Sequence, residues 1–116
     1  MSMHEVGLMT EVLDLAKAAA KKAGARRIDR VRLRIGHLAG VDPDALELAF
    51  QVASQDTLAE GAVLEIESVP TTCRCQVCEI SFQPPDFVFA CPGCGTLSST
   101  VLAGREIELA SLEVTG

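Results

Sequence analysis

Four of the five cysteines form two pairs with the spacing of metal ligands. Cys75-x-x-Cys78 and Cys91-Pro-Gly-Cys94 are separated by twelve residues. Two residues between ligands allow both sulfurs of a tight turn to reach one ion, and two such turns complete a tetrahedral sulfur shell. Because a complete shell leaves no position for water, the spacing predicts a structural zinc site and not a hydrolytic centre.

Two alternatives to this zinc site stay open. An iron site like that of a rubredoxin also has tetrahedral sulfur ligands, although only Phe82, Phe87 and Phe89 supply aromatic rings nearby. Cys73 is an alternative ligand to Cys75, although the two-residue spacing favours Cys75. Buried reduced cysteines without a metal would not explain the paired spacing, so zinc is preferred.

His4 is the second group that can bind a metal. If Met1 is removed, His4 is third from a free amine. The Ser2 amine, the backbone nitrogens of Met3 and His4, and the imidazole can then surround a cation in one plane. Planar nitrogen ligation suits Ni(II) or Cu(II) and suits Zn(II) poorly. Glu5 can add a carboxylate. The sequence therefore predicts a site for Ni(II) or Cu(II) at His4 and Glu5, distinct from the zinc site.

Helical periodicity predicts two helices. Apolar residues recur every three to four positions over residues 5–23, and Gly24 is a typical helix end. Asp42-Pro43 predicts the start of the second helix, with Asp42 as N-cap and Pro43 at the first helical position. His37 falls in the loop before this helix and is expected to be exposed and structural.

Period-two alternation predicts strands around residues 30–35, 62–69 and 104–114, the last with a bulge near Ala110. In the first strand, three arginines lie on the face opposite the apolar residues. That arginine face is either a docking surface for an acidic partner or, as we favour, an ordinary solvated strand face. The arginines are Arg30, Arg32 and Arg34.

These elements predict an α+β fold in which two helices pack on a small mixed three-stranded sheet, with the four-cysteine zinc ribbon inserted. We expect an α/β domain over residues 1–70 that carries nickel and is completed by a last strand at 104–116. The zinc ribbon is expected over 71–103, where the cysteines and most paired turn signals lie.

Composition excludes several classes of protein. No apolar run approaches the roughly 18 residues of a membrane span, and no secretory signal is visible, so a cytoplasmic protein is expected. Eight basic and four acidic residues occur up to residue 34, against two and twelve beyond it. An acidic ribbon disfavours nucleic-acid binding. No nucleophile stands beside a base, so we expect no enzyme.

With these motifs in place, the sequence resembles the HypA/HybF family of nickel metallochaperones over nearly its whole length. The resemblance is carried by Met3-His4-Glu5, by residues 32–41 and 59–62, by the cysteine pairs and by Gly104-Arg105-Glu106. It implies a transferable nickel ion at His4 and Glu5 and a structural zinc ion at the four paired cysteines. The family's opening Met-His-Glu is preceded here by Met1 and Ser2, so the geometry of a terminal amine ligand would differ.

The resemblance also implies a role and partners. The expected role is delivery of nickel during maturation of nickel-iron hydrogenase or urease. The expected partners are a HypB-type GTPase and the large subunit of the hydrogenase, with no nucleic acid. The rival functions are a nucleic-acid-binding zinc ribbon and a rubredoxin-like electron carrier.

Overall fold

A computed structural model describes residues 3–116, and helix α1 opens it at Met3–Lys22. Its most deeply buried residues, Met9, Leu13, Ala16 and Ala20, are at most 2% exposed and recur at helical spacing. The helix ends at Gly24, whose φ of 71° is typical of a glycine that terminates a helix, while the N–H of Ala25 donates to the carbonyl of Ala20 at 2.9 Å. The first predicted helix is confirmed, with a start two residues earlier.

Helix α2, Pro43–Ala53, begins as the sequence predicts. The Asp42 carboxylate accepts a hydrogen bond from the Asp44 N–H at 3.0 Å and so occupies one of the free donors of the first turn. Leu46, Ala49 and Phe50 are buried, and α2 contacts α1. No helix among residues 3–116 is long and apolar enough to cross a membrane.

Three strands form the larger sheet in the order β2-β1-β6. Their bounds are β1 Arg27–Gly36, β2 Val63–Val69 and β6 Ile107–Thr115. The strand β1 runs antiparallel to β6, because its hydrogen bonds join Arg26 to Thr115 and Gly36 to Glu106. The strands β1 and β2 run parallel. Parallel neighbours need a crossover connection, and α2 lies in the connection between β1 and β2. The predicted α+β fold with two helices and a mixed three-stranded sheet is confirmed.

A second sheet, not predicted from the sequence, surrounds the cysteine pairs. Its strands pair antiparallel in the order β4-β3-β5, with β3 at Thr72–Arg74, β4 at Ser81–Phe82 and β5 at Thr100–Ala103. The register shifts between Thr72 and Cys73, which pair with Ala103 and Val101, so Leu102 is the extra residue of a bulge in β5. The buried residues of this region form a small core of Cys73, Cys75, Phe82 and Cys91.

The chain packs as two compact units. One comprises residues up to 34, 40–67 and 108–116, and the other comprises 35–39 and 68–107. The predicted domains, 1–70 with 104–116 and 71–103, stay a prediction, because compact packing alone does not show which segments fold independently. The bulge expected near Ala110 also stays a prediction. Leu109 and Leu112, three residues apart, are the half-buried residues of β6.

The arginine face of β1 is paired with glutamates on both neighbouring strands. The hydrogen bond with Glu113 raises the pKa of Arg30, and that with Arg32 lowers the pKa of Glu65. Because three arginines meet four carboxylates, this face has no excess positive charge, and that supports the interpretation of an ordinary strand face. The ion pairs are Arg30 with Glu65 and Glu113, Arg32 with Glu65, and Arg34 with Glu67 and Glu108.

Two glycines touch through their backbones where β1 ends. The Gly104 carbonyl accepts the Leu38 N–H at 2.7 Å, and the N–H of Gly36 donates to Glu106 at 2.8 Å. A Cβ atom on Gly36 would overlap the Gly104 carbonyl group. Since the obstacle is backbone and not a flexible side chain, only glycine fits at position 36 without a backbone shift.

We predict that Gly36→Ala lowers the free energy of unfolding by about 2–3 kcal/mol, because overpacking against fixed backbone costs this much. Urea denaturation followed by circular dichroism measures the change. Gly7→Ala is the matched control, since nothing lies within 4 Å of that position and alanine favours a helix interior by up to about 1 kcal/mol. Equal midpoints for both variants would contradict the steric argument.

Candidate metal centre

The first cysteine turn is held by backbone hydrogen bonds around Cys75. The Cys75 N–H donates to the Ile80 carbonyl and the Glu79 N–H donates to the Cys75 carbonyl, both at 2.9 Å. Glu79 has a φ of 58°, a left-handed conformation that lets the chain reverse behind Cys78. The Cys78 N–H lies 3.4 Å from the Cys75 sulfur, so the turn directs a donor toward a ligand atom.

The second turn repeats this design around Cys91. Its N–H donates to the Thr96 carbonyl at 2.9 Å, and the Gly95 N–H donates to the Cys91 carbonyl at 2.8 Å. Gly95 occupies the left-handed position with a φ of 76°. The Gly93 N–H lies 3.4 Å from the Cys91 sulfur. The two turns are therefore equivalent metal-binding knuckles.

The two knuckles bring four sulfurs together. The Sγ atoms of the predicted zinc ligands Cys75, Cys78, Cys91 and Cys94 all lie within 4.8 Å of one another. The Cys75 and Cys94 sulfurs are 3.6 Å apart. Bonds of 2.3 Å to a tetrahedral zinc ion would separate the sulfurs by about 3.8 Å. The donor set and its spacing thus fit one tetrahedral ion.

The electrostatics of the four thiols also call for a cation. Hydrogen bonds from Thr96, whose hydroxyl lies 3.2 Å from the Cys94 sulfur, lower the pKa of Cys94 to about 6. The hydrogen bond with Cys94, together with burial, raises the pKa of Cys78 to about 12. A divalent cation bound by the four sulfurs would hold them as thiolates, because a coordinating thiol loses its proton.

Cys73 is set apart from the four sulfurs. It is fully buried in β3, where it pairs with Phe82 and Val101 across the sheet. Its sulfur does not belong to the group that can hold one ion. The residue packs as a small apolar side chain, and the structure favours Cys75 over it as a ligand.

The predicted nickel residues lie in the first turn of α1. His4 is exposed, whereas Glu5 is only 6% exposed. One Glu5 oxygen accepts the Asp42 N–H at 3.4 Å, and the other is buried without a hydrogen-bond partner within residues 3–116. Ser2, the expected source of the amine ligand, lies outside the described residues. His37 is exposed, as expected.

Sequence reasoning missed two neighbours of these sites. Thr96, two residues after Cys94, places its hydroxyl beside the Cys94 sulfur. A hydroxyl so close in sequence to a predicted ligand is a signal from which this contact could have been predicted. Asp42 meets Glu5 across 37 positions of the chain, and no local pattern predicts that contact.

Fold and site together define a small α+β metal-binding protein with a four-cysteine centre. Residues 3–114 match the family described as hydrogenase/urease nickel incorporation, metallochaperone, HypA. The hydrogenase maturation factor HypA of Picosynechococcus sp. is 49% identical over 112 residues, which cover 97% of this chain and 99% of the relative. That of Roseiflexus sp. is 46% identical, with 96% and 91% covered.

Solved structures agree with this match. The solution structure of the Ni metallochaperone HypA from Helicobacter pylori has a TM-score of 0.69 and 26% identity, covering 96% of this chain and 97% of that one. A second HypA solution structure has a TM-score of 0.72 and 28% identity, with 98% of each chain covered. The chain belongs to the HypA family of nickel metallochaperones, and the predicted resemblance is confirmed.

We predict that Cys75→Ala abolishes metal binding at the four-cysteine site, expected to be zinc, while Cys73→Ala retains one ion per chain, because Cys75 and not Cys73 contributes a sulfur to the group. Elemental analysis of the purified variants measures the stoichiometry. Both substitutions remove a buried sulfur from the same small core and are therefore matched for packing loss. Zinc loss in Cys73→Ala with retention in Cys75→Ala would assign the ligand to Cys73.

Proposed function

We propose that this protein binds Ni(II) at its N-terminal end through His4 and Glu5 and delivers it during maturation of nickel-iron hydrogenase or urease. A structural zinc ion held by Cys75, Cys78, Cys91 and Cys94 stays in place throughout. The observation that carries the nickel site is the buried Glu5 oxygen with no hydrogen-bond partner within the described chain. An unpaired buried carboxylate is costly, and a bound cation would compensate it.

Helix geometry supports nitrogen ligation next to this carboxylate. The first N–H groups of α1, which begins at Met3, have no intrahelical acceptor. A metal can therefore deprotonate and bind amide nitrogens there without breaking a helical hydrogen bond. His4 is exposed and free to adopt the rotamer that a chelate requires. Imidazole and amide nitrogens bind nickel only when deprotonated, so acidification is expected to favour release.

The two proposed sites divide the work of a carrier. Zinc, when bound, supplies a fixed cross-link between the knuckles, and two of its ligands, Cys75 and Cys91, belong to a buried core. Nickel is the cargo and is held near the end of the chain, where ligands can dissociate stepwise as an acceptor binds. Carriage and delivery, with no chemical conversion, require no catalytic residue.

The proposed partners follow from the family. Its description names nickel incorporation into hydrogenase and urease, so the large subunit of a nickel-iron hydrogenase is the proposed recipient. A HypB-type GTPase is the proposed partner in nickel transfer. Five free cysteines without a disulfide fit a cytoplasmic location, where cysteines stay reduced.

The rival functions have less support. A nucleic-acid-binding ribbon would need basic residues, yet the second unit contains Arg74 and Arg105 against Glu79, Asp86 and Glu106. An electron carrier would need iron at the four sulfurs. A colourless protein with one zinc per chain would exclude it.

We predict that His4→Ala abolishes nickel binding at the N-terminal end, because it removes the imidazole that anchors the chelate. Isothermal titration of zinc-saturated protein with Ni(II) measures the affinity, after intact-mass analysis has established the N-terminal residue. His37→Ala is the matched control, since His37 is also an exposed histidine but lies outside the first turn of α1. Equal nickel affinity in both variants would refute the assignment.

We predict that Glu5→Gln weakens nickel binding about tenfold, because the amide keeps an oxygen for the Asp42 N–H but loses the anionic charge. The same titration measures the loss, and thermal unfolding without nickel shows whether the fold is preserved. If Glu5 serves only to hold the start of α2, nickel affinity will be unchanged.

A further inference from the structure

The strand β6 forms a free edge of the larger sheet. In the order β2-β1-β6 it pairs on one side with β1, and no strand among residues 3–116 covers its other side. Its nine residues include no proline, lysine or arginine, which commonly protect exposed edges. The unpaired N–H and C=O groups of β6 are therefore available to a further strand.

An apolar groove runs along this edge between α1 and β6. It has a volume of about 360 Å³ and is open to solvent. The groove exists because the side chains that α1 presents there are small. The groove is lined by Ala19, Ala20 and Ala23 of α1 and by Leu109, Ser111, Leu112 and Val114 of β6.

The opposite edge, at β2, differs in chemistry. A groove between α2 and the residues just before β2 is lined largely by polar side chains, among them Glu47, Gln51 and Glu60. Apolar side chains of an added strand would be poorly accommodated there. The combination of a free edge and an apolar groove thus belongs to β6.

The charge pattern of the sheet indicates which strand fits beside β6. On the polar face, β2 presents glutamates, β1 presents arginines and β6 presents Glu108 and Glu113. These two carboxylates meet arginines only on their β1 side and are 50% and 64% exposed. A strand next to β6 should therefore carry basic side chains on this face, because opposite charges on neighbouring strands stabilise a sheet.

We propose that β6 and its groove bind an extended segment of a partner protein in which apolar residues alternate with lysine or arginine. Its backbone pairs with the free edge, its apolar side chains enter the groove beside Ala19 and Ala23, and its basic side chains approach Glu108 and Glu113. This docking function goes beyond metal carriage and needs no nickel.

A second copy of β6 fits less well. It would bring its own Glu108 and Glu113 to the polar face, where glutamates already lie. The chain's own basic strand, β1, is the centre of the sheet and cannot leave it without unfolding. Charge thus favours a foreign basic strand over self-association.

Capped nine-residue peptides test the proposal on zinc-loaded, nickel-free full-length protein. The first peptide alternates Val with Lys, the second alternates Val with Glu, and the third has the composition of the first with its lysines grouped together. We expect only the first to bind, with amide shifts in the NMR spectrum confined to β6 and to residues 19–23. Equal binding of the first and third would reduce the effect to net charge and overturn the proposal.

Two groove variants localise the binding. Ala19→Trp fills the groove and should weaken the first peptide at least about tenfold, or about 1.4 kcal/mol. Ala18→Trp, at the neighbouring exposed position outside the groove, should leave affinity unchanged. Equal affinities in both variants would contradict the site.

Sedimentation of the protein alone tests the competing occupant. Concentration-dependent dimers that Ala19→Trp abolishes and Ala18→Trp preserves would show that a second copy covers β6, and the proposal of a basic partner strand would fail. A monomer at all concentrations supports it. Because nickel is absent from these experiments, their failure would leave the proposed nickel site untouched, and loss of nickel binding in His4→Ala would leave the docking site untouched.

Discussion

A protein that delivers one metal ion and retains another must hold the two ions with ligands that dissociate with different ease. The four sulfurs would meet this constraint for the proposed resident ion, because Cys75 and Cys91 are part of the same buried core as Cys73 and Phe82. The four sulfurs lie within 4.8 Å of one another, so a bound cation would offset the repulsion between their thiolates. The proposed nickel ligand His4 has no such burial. It lies in the first turn of a helix, where fraying changes few contacts. The proposed difference between a permanent and a transferable metal ion thus rests on burial as well as on ligand type.

Local signals were sufficient to predict both helices, the strands of the larger sheet and the metal-binding knuckles. Asp42-Pro43 predicted the start of α2, because capping and proline act on neighbouring residues only. The alternation of Val31, Leu33 and Ile35 with arginines predicted β1, because a strand places successive side chains on opposite faces. The paired cysteine spacing predicted the knuckles in the same way. Each signal spans a few residues and is therefore legible in one sequence.

Contacts between distant segments could not be predicted. Glu5 meets Asp42 across 37 positions, and the glutamates that pair with Arg30 come from strands 35 and 83 positions away. The small sheet around the cysteines also escaped prediction, because its strands are only two to four residues long and too short for a period. The Gly36 and Gly104 contact joins two glycines that look like ordinary loop residues in the sequence. In each case the cause lies in tertiary packing, which one sequence does not encode locally.

The geometry of α1 allows docking and metal release to operate separately. His4 stands at the beginning of this helix, and Ala19 and Ala23 line the groove near its end. At a rise of 1.5 Å per residue, about 28 Å separates His4 from Ala23 along the helix. The side chains that enter the groove would therefore contact the end of α1 that lies away from His4. A partner held at β6 could remain attached while the ligands at the other end of α1 exchange nickel with an acceptor. Retention of the partner raises the local concentration of that acceptor, which favours transfer without a tighter nickel site in either protein.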